Sequence, residues 1–67
     1  MNELDEILTI GLKLHGLDLD DTVTMILLLK TPANKIQMIE YMLENEKATA
    51  QEVMNEATLI HRQTSTK

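Results

Sequence analysis

Thr22-Val23-Thr24-Met25-Ile26-Leu27-Leu28-Leu29-Lys30, residues 22–30, is the stretch whose reading decides the fold. Six of its nine residues are large and apolar. At about 100° per residue they point around the whole helix cylinder. A helix apolar on every side has to be covered on every side, and a chain of 67 residues has little protein with which to surround one helix. The expectation is therefore either a central helix wrapped by the others or a surface that another chain covers.

Composition supports helix packing. The chain is 43% apolar, with Tyr41 as its single aromatic residue, so the core must be Leu, Ile, Val, Met and Ala. That set favours helix on helix over a sheet sandwich. Sixty-seven residues make one domain at most, and a core that small contributes only a few kcal/mol unless it is stapled or oligomerised. With no cysteine there is neither a disulfide nor a thiolate metal site, and two histidines are too few for an ordinary structural zinc.

Start and stop signals bracket four short helices. Helix 1 is expected over about residues 3–14, with Asn2 as N-cap, Glu3, Asp5 and Glu6 at the positive end of the dipole, and Gly16 as a left-handed stop. Its apolar stripe is Leu4, Ile7, Leu8, Gly11 and Leu14. Helix 2 is expected over about 21–30, capped by Asp18 or Asp20, with Leu17 and Leu19 folded back onto the core and Lys30 in the last turn. Thr31-Pro32 is the sharpest boundary: Pro32 pushes Thr31 out of helical geometry and suits the first turn of a helix that Thr31 caps. Helix 3 is then expected over about 32–45. Thr49-Ala50-Gln51-Glu52 reads as a capping box, Thr49 and Glu52 each serving the other's backbone amide, before helix 4 over about 50–62. The expected fold is all-α: one domain over residues 1–62, a compact, irregular or orthogonal bundle with helix 2 central and helices 3 and 4 an antiparallel hairpin, followed by a flexible tail over 63–67.

The net charge is −5, and all of it lies before Lys30: Glu3, Asp5, Glu6, Asp18, Asp20 and Asp21 stand against Lys13 alone. An acidic front half repels phosphate backbones and anionic membranes. The N-terminus carries no basic stretch leading into an apolar run, and the run from Met25 to Leu29 is too short to span a bilayer. A cytoplasmic, soluble protein is expected.

Chemistry-bearing patterns are sparse. Asp18-x-Asp20-x-Thr22 opens with calcium-loop spacing, but Val23 stands where the glycine is needed and Leu29 where the bidentate glutamate is. His15 and His61 each fall in the last turn of a helix, where a cation suits the dipole. The only serine is Ser65 in the tail, and Thr31 and Thr49 are accounted for as caps. No catalytic, metal or cofactor residue and no small-molecule substrate is expected. Met25, Met38, Met42 and Met54 either fill core gaps or form an adaptable surface, with Met25 and Met38 off the main stripe of their helices.

Residues 30–57, KTPANKIQMIEYMLENEKATAQEVMNEA, resemble the opening helix pair of winged helix-turn-helix regulators, in which a helix begun by Thr-Pro leads through a short turn into a Thr-capped helix. The resemblance implies DNA reading by a further helix. Here helix 4 would have to be the reader, with Gln51, Asn55, Thr58 and Arg62 outward, and Glu52 and Glu56 interrupt that face. The layout of a short apolar helix, a Lys30-Thr31 junction, a helix ending in Glu44-Asn45 and a capped Ala48-Thr49-x-x-Glu52 helix is also similar to small uncharacterised helical proteins of bacterial mobile elements, which implies an origin and no activity. The function expected is a non-enzymatic protein-interaction module, a homodimer or the partner of another protein, joined through Met25, Leu28, Leu29, Met38 and Tyr41. The alternative is a DNA-binding control factor using helix 4.

Overall fold

The computed structural model describes residues 2–65. Among them are four helices and no strand: α1 (Glu3–Leu14), α2 (Leu19–Leu28), α3 (Pro32–Glu44) and α4 (Ala50–Ser65). The radius of gyration, 10.7 Å, is close to the value of about 11 Å for a folded chain of this length.

Short-range hydrogen bonds define the helix ends. Asn2 Oδ1 accepts the Asp5 amide at 2.8 Å, and Asp18 Oδ1 accepts the Asp21 amide at 2.8 Å. Thr31 Oγ1 accepts the Asn34 amide at 3.2 Å. Thr49 and Glu52 form a reciprocal box, with bonds of 2.9 and 3.1 Å. At the end of α1 the Leu17 amide reaches the Leu12 carbonyl and the Gly16 amide the Lys13 carbonyl, with Gly16 at φ +95°. This is the doubly bonded helix stop that a left-handed residue permits. Leu12 and Leu17, on either side of it, both enter the core.

Several boundaries and roles differ from expectation. Helix α2 starts at Leu19, so Asp20 is not a cap; it lies inside the first turn, where its carbonyl accepts the Thr24 hydroxyl at 2.8 Å. Leu19 is exposed rather than folded back. The helix closes at Leu28 with Leu29 as C-cap, and Lys30 is left-handed at φ +28°, because the chain must turn before Pro32 holds Thr31 extended. Helix α4 continues through Gln63–Ser65, which the sequence assigned to a flexible tail; residues 66–67 of that tail lie outside the described residues.

The packing is a ring of four. Helix α1 packs on α2 and α3, and α4 packs on α2 and α3, while the two diagonal pairs barely touch. Helix α2 is therefore not central: Thr22, Met25 and Leu29 face inward, whereas Leu19, Val23 and Leu27 remain outside. The core comprises Leu8, Leu12, Leu17, Met25, Leu29, Met38, Met42, Val53, Ala57 and Ile60.

Three of the five residues expected at the interface lie in that core. Met25, Leu29 and Met38 are buried within the single chain, Met38 and Leu29 at 0% exposure, and Leu28 and Tyr41 pack against the same cluster. Methionines 25, 38 and 42 fill the core rather than forming a surface. The reason is rotational. An apolar arc wider than half a helix can be set against its neighbours at several angles, and α2 and α3 turn these residues inward.

Candidate functional site

Every helix leaves at least one large apolar side chain exposed, and those of α1 and α3 flank a groove. On α1, Leu8 and Leu12 take the core face. The stripe Ile7, Ile10 and Leu14 is left outside, at 51, 60 and 82% exposure. On α3, Met38 and Met42 face inward and Leu43 stays 70% exposed. Between the two helices runs an open groove of about 420 Å³ lined by Ile7, Ile10, Gly11, Leu14, His15, Ile39, Met42, Leu43 and Glu46.

Three contacts fix the walls. At one end Lys35 Nζ lies 2.6 Å from Asp5 Oδ1, both side chains mostly buried. In the middle, a Cβ built on Gly11 would stand 2.7 Å from Met42 Cε and 3.3 Å from its sulfur. At the other end His15 Nδ1 is 2.8 Å from the Ala48 carbonyl oxygen. Positions 5, 11 and 15 thus meet 35, 42 and 48 in order, so α1 and α3 run side by side in the same direction. The missing side chain at Gly11 is what lets Met42 form the floor.

Helical spacing sets three exposed carboxylates one turn from this strip, and a fourth lines it. Glu3 and Glu6 stand one turn before Ile7 and Ile10, Glu40 one turn before Leu43, and Glu46 lines the far end. Lys13 and Lys47 are the exposed lysines near it in sequence, while Lys35 is engaged by Asp5.

The structure does not bring the residues expected at the interface to this groove, and sequence reasoning missed Ile7, Ile10, Gly11, Leu14, Ile39 and Leu43 as a site. A signal was present: α1 carries more apolar residues than two neighbours can cover, with a glycine among them. Of the outer residues expected to read DNA on α4, Gln51 Nε2 donates to Asn55 Oδ1 at 2.9 Å and the Thr58 hydroxyl donates to the Met54 backbone carbonyl at 3.0 Å. Among the described residues no three His, Cys, Asp or Glu side chains gather as a metal-holding group, and no helix is long and apolar enough to cross a membrane. Comparison of the chain with protein-family models, with curated proteins and with solved structures finds no match.

Proposed function

We propose that this chain is a non-enzymatic protein-interaction module whose binding site is the α1–α3 groove. The observation that carries the reading is a continuous concave apolar strip between two parallel helices, held by a contact at each end. Burying such a strip yields roughly 25 cal/mol per Å² before association costs are deducted, and walls already fixed in place lower those costs. The supporting test is titration of the ¹⁵N-labelled chain with a neutral, leucine-anchored helical peptide. Amide shifts confined to Ile7–Leu14 and Ile39–Leu43, lost in an Ile10→Glu/Leu43→Glu variant, are the expected result. A peptide that leaves those amides unmoved would remove the groove as the site.

A second reading, self-association, is favoured by a separate observation. Leu19, Val23 and Leu27 recur every four residues along the outer face of α2, at 64, 47 and 68% exposure. Light scattering across a roughly hundredfold dilution series tests it. A dimer abolished by Leu19→Glu/Leu27→Glu would support pairing through α2, and a monomer at every concentration would dismiss it.

A further inference from the structure

We infer that the occupant of the groove is a basic amphipathic helix of another protein, about two to three turns long, with Lys or Arg flanking its apolar stripe. This rests on the groove being the binding site. From Ile7 to Leu14 the wall rises about 10 Å at 1.5 Å per residue. The carboxylates at the ends, Glu3 and Glu46, extend the contact by about one further turn.

The binding mode follows from the walls. Both are helices whose backbone groups are used internally, and among the described residues there is no strand edge to extend. Recognition must therefore pass through side chains, which is how an apolar helix face fits a groove, with anchors at i, i+3 or i+4, and i+7. Met42 on the floor is unbranched and adaptable, so the groove accommodates anchors of differing shape.

The charge of the occupant follows from the rim. Glu46 lines the strip, and the exposed Glu3, Glu6 and Glu40 stand one helical turn from its apolar residues; Lys13 and Lys47 offset them only in part, and the Lys35 charge is matched by Asp5. A second copy of the chain would set one acidic rim against another, and an anionic membrane or a nucleic acid would meet the same repulsion. Basic flanks convert that penalty into steering and specificity.

The test uses three synthetic peptides of about 14 residues, enough for roughly four turns, with identical leucine anchors and flanks of Lys, Gln or Glu. Each is titrated into the ¹⁵N-labelled full chain. The Lys peptide is expected to bind about tenfold more tightly than the Glu peptide at low salt, with Gln between them, and the gap to close near roughly 0.5 M salt. All shifts should map to Ile7–Leu14 and Ile39–Leu43. Glu6→Lys/Glu40→Lys, both on exposed side chains, should reverse the order while the helical circular dichroism is unchanged. Gln or Glu peptides that bind the groove as tightly as the Lys peptide would overturn the basic occupant and leave the site standing. A Lys peptide that maps elsewhere, such as the acidic start of α2, would overturn it too. If no peptide moves the groove amides, both the occupant and the site are refuted.

Discussion

A Cβ at position 11 would lie 2.7 Å from Met42 Cε, closer than atoms in contact can sit, so Gly11 and Met42 together set the depth of the groove. The obstructing atom is the free end of a flexible side chain, which can swing aside into the open strip. Gly11→Ala should gain about 1 kcal/mol of helix propensity, largely offset by moving Met42. Urea unfolding is expected to show a net change within about 1 kcal/mol. The Met42 methyl resonance should nevertheless shift, and the neutral leucine-anchored peptide should bind more weakly. An unchanged methyl environment would contradict the close approach.

Leu27 and Leu29 are two residues apart, yet one is 68% exposed and the other 0%. Leu29→Ala should cost about 2–5 kcal/mol, a large part of the stability of so small a domain. Leu27→Ala should stay within about 0.5 kcal/mol. Equal losses in chemical denaturation would mean that α2 is rotated from the position described.

Thr22 is 1% exposed, and its hydroxyl finds no hydrogen-bond partner. The threonines at 9, 24 and 58, by contrast, each donate to the carbonyl four residues earlier. Thr22→Val replaces the orphan hydroxyl with a methyl of similar size and should raise stability by about 1 kcal/mol. Thr22→Ser keeps the hydroxyl and removes the methyl, and should lower stability by about 1 kcal/mol. Thermal unfolding of the pair checks both signs.

Lys30 occupies the position after the α2 cap at φ +28°, where a side chain is strained and glycine is the usual residue. Lys30→Gly should stabilise the chain by roughly 0.5–1 kcal/mol, the relief of left-handed strain outweighing the backbone entropy of glycine. A fall in melting temperature would show that the lysine side chain contributes more than its backbone costs.

His15 Nδ1–H donates across the end of the groove to the Ala48 carbonyl at 2.8 Å, tying the stop of α1 to the turn before α4. His15→Ala should cost about 1 kcal/mol and broaden the amide resonances of residues 45–49. The bond joins positions 33 apart, and the sequence offered only a reading of His15 as a terminal-turn residue.

The amino-acid sequence by itself determined where helices begin and end, to within about three residues. Asn2, Asp18, Thr31 and the Thr49–Glu52 box act on amides three residues away, so the information is local. It also determined the fold class, because a Leu, Ile, Met and Ala core with helical spacing leaves few other ways to bury itself. Only the tertiary structure decided which face each helix turns inward. The apolar arcs of α1, α2 and α3 are each wide enough to be buried at several rotations, and local hydrogen bonding is the same in all of them. For α1 against α3 the choice is marked by the Asp5–Lys35, Gly11–Met42 and His15–Ala48 contacts, which join residues about thirty positions apart. The resulting packing buries Met25, Leu29 and Met38 and leaves Ile7, Ile10, Leu14 and Leu43 exposed.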